Sequence, residues 1–169
     1  MKNIIIYLLL LITTTSCVEV LFEHPQPVKV KAEKQFPELM IGEYLDADDQ
    51  KVSITPFAFR TPDMEHDSLA KMNKDFVLKR FKSYFVISLR NELELWQVAF
   101  ITIEKNGDLS MKIIEANERE KIDILKKMVS VTTKYDDEDE YYIINPSKKE
   151  LAKILKEDIF EVARLKKIK

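Results

Sequence analysis

The chain has 169 residues, with 27 basic and 29 acidic side chains and 46% hydrophobic residues. That is the make-up of one folded domain, and its near-neutral charge argues against nucleic acid, which rewards a basic face through counterion release. Only two glycines are present, Gly42 and Gly107, which excludes a glycine-rich phosphate loop, because such loops need several for close backbone approach.

Lys2 precedes an apolar run from Ile4 to Ile12, and Thr13-Thr-Thr-Ser16 then leads to Cys17, the single cysteine of the chain. A charged start, an apolar middle of about 7–15 residues and small residues before a cut make a secretory signal. The run falls well short of the roughly 20 residues that a spanning helix needs. A lone cysteine in an exported protein has no internal disulfide partner. Its thiolate is the good nucleophile among side chains, and lipidation gives it a use. A signal peptide over 1–16 and a lipidated Cys17 at the mature N-terminus are therefore expected. Ser16 fits a lipoprotein signal, whereas Thr14 stands where an aliphatic residue is usual. One acyl chain holds only marginally, so a stable anchor takes two or more. Val18 rather than Asp follows the cysteine. By analogy with the enterobacterial sorting rule, this directs the protein to an outer membrane. Removing residues 1–16 takes away one lysine, Lys2, and no acid, so the net charge moves from −2 to −3.

Val18 to Glu38 holds Pro25, Pro27 and Pro37 among charged residues without periodicity. Proline removes a donor and stiffens the chain. Residues 17–38 are expected to form a lipidated, flexible tether. Fully stretched, it would reach roughly 65 Å and hold the domain off the membrane. The domain itself is expected over 39–169.

Ile41 to Leu45 reads as a first strand, Asp46 to Gln50 as a turn and Lys51 to Thr55 as a second strand. Pro56 marks a bulge or edge, and Phe57 and Phe59 resume the alternation. Thr61 to Asp75 is polar and irregular, with one helical turn expected around Ser68 to Met72. Phe76 to Phe81 and Tyr84 to Arg90 are rich in aromatic and β-branched residues and read as strands. Leu95 to Ile103 is a long strand, apolar on both faces, so a helix or a second sheet layer must cover it on each side. Lys105-Asn-Gly-Asp108 is a hairpin turn, and Leu109 to Glu115 returns from it. Asn117 to Met128 spaces Ile122, Leu125 and Met128 as a helix. Ser147-Lys-Lys-Glu150 is a capping box before a helix to Lys156, with Leu151, Ile154 and Leu155 as its apolar stripe. Val129 to Lys134, Tyr141 to Asn145 and Ile159 to Ile168 read as strands, the first two flanking an acidic loop, Asp136 to Glu140. Two strand–helix–strand units, 113–134 and 141–168, thus follow one another as a faint repeat.

Phe36-Pro-Glu-Leu39 with Gly42-Glu-Tyr44, Lys79-Arg-Phe81-Lys-Ser-Tyr-Phe85, Leu95-Trp-Gln97 running into Lys105-Asn-Gly-Asp-Leu-Ser110, and Asn145-Pro-Ser147-Lys-Lys-Glu-Leu151 with Phe160 beyond form one pattern. Over most of the mature chain it resembles small uncharacterised lipoproteins of Bacteroidota. That resemblance implies a lipid anchor and a single β-rich domain, and brings no assigned activity or catalytic residue. Gly42-x-Tyr44 is also similar to the opening of lipocalin-like barrels.

Few residues offer chemistry. His24 lies among the prolines. His66, in Asp63-Met-Glu-His-Asp67, has carboxylates beside it but no second histidine or cysteine for a metal. Asp46-Ala-Asp48-Asp49 opens like a calcium loop, but Lys51 and Phe57 stand where the loop needs its glycine and its bidentate Glu. Ser68 and His66 could be written into a triad, yet no nucleophile elbow presents them. Trp96 and the other aromatics read as core, with a ligand cavity inside a barrel as the alternative. The expectation is therefore an α+β domain with a mainly antiparallel, curved or barrel-like sheet and two packed helices. It is lipid-anchored through Cys17 in the cell envelope, without catalytic residues, metal or cofactor. It binds or scaffolds a protein or small-molecule partner. A lipocalin-like carrier of an apolar ligand, or an unrecognised hydrolase, are the alternatives.

Overall fold

The computed structural model describes residues 18–60, 70–136 and 139–168. The signal peptide, Cys17, His66 and Ser68 therefore lie outside the described residues. The fold is α+β and dominated by one large mixed sheet. Its strands are β1 (Val18–Phe22), β2 (Gly42–Leu45), β3 (Lys51–Ile54), β4 (Ala58–Arg60), β5 (Ala70–Lys71), β6 (Phe76–Phe81), β7 (Tyr84–Arg90), β8 (Trp96–Ile103), β9 (Leu109–Ile114), β10 (Val131–Asp136), β11 (Asp139–Ile144) and β12 (Phe160–Lys167). The helices are α1 (Arg119–Lys126) and α2 (Lys148–Ile154).

Local chemistry sets most of the hairpins. Asn106-Gly107 turns β8 into β9, with Gly107 at φ 90°, where a side chain would be strained. The Asp46 carboxylate accepts from the Asp48 and Gln50 amides at 2.9 and 2.8 Å and closes the β2–β3 turn. Asn91 Oδ1 does the same for Leu93 and Leu95 between β7 and β8.

The strand order is β10-β11-β1-β8-β9-β12-β2-β3-β4-β5, with β6 and β7 attached to β8 through β7. The two ends of the order do not meet, so of the curved or barrel-like forms expected the closed barrel is not the one formed. Strand β8 is the hub. Along one edge it pairs with β7 from Trp96 to Ile101. Its other edge takes β9 at Phe100–Ile103 and β1 at Trp96. Strand β1 in turn pairs in parallel with β11, Val18↔Glu140 through Phe22↔Ile144. The other pairings are antiparallel. The faint repeat is not a structural one, since β10 ends the sheet whereas β12 lies inside it.

Both faces of β8 are covered, as its sequence demands. Ala99 and Ile101 point into a core with Leu78, Ile87 and Leu89 that β2–β4 closes with Tyr44, Val52, Ile54 and Phe59. Trp96, Val98 and Phe100 point into a second core that the helices close with Ile122, Leu125, Leu151 and Ile154. The capping box of α2 is complete: Glu150 N–H donates to Ser147 Oγ at 3.3 Å, and Ser147 N–H to Glu150 Oε2 at 2.8 Å. Leu155, expected in the apolar stripe, is half-buried at the end of the helix, and Ile154 is fully buried beside Leu151. Phe57 is exposed, because it precedes β4 in the turn rather than joining its alternation. Where a helical turn was expected around Ser68 to Met72, Ala70–Lys71 pairs as a short strand with β4.

The largest correction is the tether. Residues 18–38 are part of the domain. Leu21 and Phe22 are buried in β1, and Gln26 and Phe36 are fully buried. After β1 the chain forms a strap past β6. Gln26 N–H donates to Ser88 Oγ at 3.0 Å. The Lys79 ammonium donates to the carbonyls of Pro25 and Pro27 at 2.8 and 3.0 Å. Glu33 N–H then reaches Leu78 O, and Phe36 N–H reaches Pro56 O, both at 2.8 Å. Proline lacks an amide donor but keeps its carbonyl, so a Pro-rich segment suits a sheet that offers donors. Phe36 finishes the strap by packing on Phe76, ring centres 5.9 Å apart.

Candidate functional site

Polar side chains gather at one end of the sheet, where β1, β8 and the β10–β11 hairpin meet. The alternation of β1 sends Val18, Val20 and Phe22 toward the helices and leaves Glu19 on the opposite face. Glu19 lies in register with Tyr141 of β11. Gln97, the one polar residue in the first half of β8, faces the same way and donates from Nε2 to Glu19 Oε2 at 3.2 Å. Tyr141 OH donates to Asp139 Oδ2 at 3.2 Å. Tyr135, on β10, donates to Glu140 Oε1 at 3.2 Å. Gln97 is buried, and its Oε1 has no hydrogen-bond partner among the described residues.

Burial raises the Glu19 carboxyl above the ordinary carboxylate range; the Gln97 hydrogen bond works against this, and the Asp139 charge adds to it. Burial likewise raises the Tyr141 hydroxyl, helped by the charge and hydrogen bond of Asp139 and by the charges of Glu19 and Asp136. The end is thus rich in carboxylates, and none of Glu19, Asp136, Asp139 or Glu140 is in a salt bridge among the described residues. Among those residues, no group of three or more His, Cys, Asp or Glu is arranged to hold a metal ion.

The raised carboxyl has a testable consequence. Between the ordinary carboxylate pKa and the higher folded value, the folded protein holds the Glu19 proton more tightly than the unfolded chain does. Stability from this group is fully present below the unfolded pKa and is lost as pH rises through the folded one. Glu19→Gln cannot ionise and is expected to lose that slope, unfolding at higher urea than the wild type at neutral pH. Urea midpoints across the acid range measure it. A lower midpoint for the variant at neutral pH would show that the charge is favourably paired.

Buried polar groups elsewhere serve the fold. Ser88 and Gln26 are fully buried, and Lys79 nearly so, where the strap meets β6 and β7. Burial lowers the Lys79 ammonium below the usual lysine range. A second acidic group surrounds Lys121, which is 3.1 Å from Glu118 Oε1 and near Glu115 and Asp158. Glu161 lies beside Glu115, and burial and that carboxylate raise it.

His24 is exposed, and its carbonyl accepts from Gln26 Nε2. Asp46 is occupied by its own turn, as suits the missing calcium-loop residues. The expected acidic loop is largely strand: Asp136 closes β10 and Asp139 opens β11, paired with each other. Trp96 is in the core against the helices. Sequence reasoning missed Glu19, Gln97 and Lys79. The signal for Glu19 was present in the alternating, β-branched run Val18-Glu-Val-Leu-Phe22, which the three following prolines outweighed. Comparison with family models, with curated proteins and with solved structures finds no match for this chain.

Proposed function

We propose that this protein is a lipid-anchored module of the cell envelope, held through Cys17, that acts by binding or scaffolding rather than by catalysis. One observation carries the reading: a lone cysteine directly after a short apolar run and small residues. Among the described residues, no helix is long and apolar enough to cross a membrane. Outer-membrane placement follows from Val18 by the sorting analogy. We read the sheet as strongly curved, since β2–β4 packs over the face of β6–β9 while β2 stays paired to β12.

Growth with labelled fatty acid tests the anchor. The wild type is expected to take up label and to sediment with membranes, and Cys17→Ser to lose the label and move to the soluble fraction. Unlabelled wild type, with equal sedimentation of the variant, would reject the reading.

A further inference from the structure

We propose that the free edge of β10 pairs antiparallel with β10 of a second copy of this chain, about a two-fold axis at Thr133. Two long strands, β6 and β10, are outermost among the described residues. The edge of β6 is covered, since the strap lies along it and Glu33 N–H reaches Leu78 O. The edge of β10 has no strand beside it among those residues. Of the devices that blunt an edge it carries a lysine, Lys134, and neither a proline nor a bulge, as its register with β11 runs unbroken from Val131↔Ile144 to Asp136↔Asp139.

The groups that face outward follow from the other side of the hairpin. Ile144 O accepts from Glu23 N–H at 3.0 Å, so the peptide groups of Ile144 point to β1 and away from β10. Val131 is paired with Ile144, and the two residues of an antiparallel pair exchange both hydrogen bonds or neither. Val131 therefore turns its N–H and C=O outward, and by the alternation of the strand so do Thr133 and Tyr135. Thr133 is the middle of these. A two-fold axis there sets Thr133 against Thr133 and Val131 against Tyr135, and every outward N–H and C=O finds a partner. An axis at Thr132 or Lys134 leaves some of them unpaired, and the second choice sets Lys134 against itself.

Side chains and charge agree with the same axis. Val131 against Tyr135 is a β-branched residue beside an aromatic one, and Thr133 against Thr133 is a hydroxyl pair; both kinds favour a sheet. Tyr135, 74% exposed in the single chain, gains a cover. The two ends of β10 carry opposite charge. Lys126 and Lys127 close α1 just ahead of it, and Asp136 ends it beside Asp139 of β11, with Glu140 next along that strand. Antiparallel pairing brings the basic end of each copy to the acidic end of the other. Within one chain those carboxylates have no salt-bridge partner among the described residues. A second copy meets the backbone, the side chains and the charges at once, whereas an unrelated strand meets the backbone alone.

Sedimentation equilibrium of the full chain in a density-matched detergent tests the pairing. The wild type is expected at twice the mass of one chain, falling toward that of one chain on dilution. Thr133→Lys opposes two ammoniums and Thr133→Glu two carboxylates, and each variant alone is expected at the mass of one chain. An equal mixture of the two variants opposes Lys to Glu and is expected to recover the double mass. Hydrogen exchange of the wild type reads the same edge without any substitution, and so decides the matter even where a variant does not fold. The Val131, Thr133 and Tyr135 amides are expected to exchange several-fold more slowly in the concentrated protein than in the diluted one. The Thr132 and Lys134 amides, which face β11, are expected to be unchanged. A wild type at the mass of one chain at every concentration, or outward amides indifferent to dilution, would overturn the pairing. A dimer that survives in both variants would overturn its place on β10. A mixture that stays at the mass of one chain would overturn the axis at Thr133.

Discussion

Removing residues 18–38 is expected to unfold the domain. A chain beginning at Leu39 would lose β1, and β1 is the link between the β10–β11 hairpin and β8 in the strand order. The hairpin would then have no sheet to belong to, and an isolated two-stranded hairpin is marginal in water. The second core would lose Phe22 and the first would lose Phe36. Lys79, Ser88 and the Leu78 carbonyl would lose their strap partners, and a buried polar group left alone costs about 1–3 kcal/mol. Phe22→Ala alone should cost about 3–5 kcal/mol, against a total stability of roughly 5–15 kcal/mol for a domain. Urea unfolding followed by far-ultraviolet circular dichroism and Trp96 fluorescence measures both. A cooperative transition for the shortened chain, close to that of the parent, would return these residues to a tether.

The second large effect is expected at α2. Leu151→Ala should cost about 2–5 kcal/mol, because Leu151 is fully buried in the core that holds Trp96 and truncation leaves a void there. Leu155→Ala should cost clearly less, since Leu155 is half-buried beyond the last turn. Ser147→Ala removes one of the two capping-box bonds and should fall near 0.5–2 kcal/mol. Denaturation of the three variants side by side gives the order. A neutral Leu151→Ala would mean that α2 does not hold the sheet.

What was legible in the sequence was local. The two apolar faces of β8, the Asn106-Gly107 turn and the Ser147–Glu150 cap each declare themselves within a few residues, and each is present where the pattern puts it. The failure at 18–38 has the opposite cause. Its partners are remote: Glu19 meets Gln97 78 residues away, and Lys79 reaches Pro25 and Pro27 across 54 and 52 residues. Read alone, prolines mixed with charges describe a linker. Only the Lys79 ammonium on β6 and the acceptors Leu78 O and Ser88 Oγ on β6 and β7 turn the same residues into a strap. The acidic end was hidden for the same reason, since Glu19 and Asp139 are neighbours only once β1 and β11 pair. The choice between a curved and a barrel-like sheet stayed open because strand periodicity reports which face is buried, not whether the edges meet.

The position of β1 also imposes an order on the birth of the fold. Strand β1, the first described, is closed by nearly the last, as the Asn145–Glu23 hydrogen bond spans 122 residues. Until residue 144 is available, Leu21 and Phe22 have no β11 to lie against, and the β8 edge beside Trp96 stays open. Such remote pairing is slow, since the entropy of closing the loop comes due before any contact rewards it. During that interval the folding chain carries an apolar strand and an unprotected edge at once, the state in which chains stick to one another. A protein built this way gains from a holding chaperone that keeps its beginning apart until its end arrives.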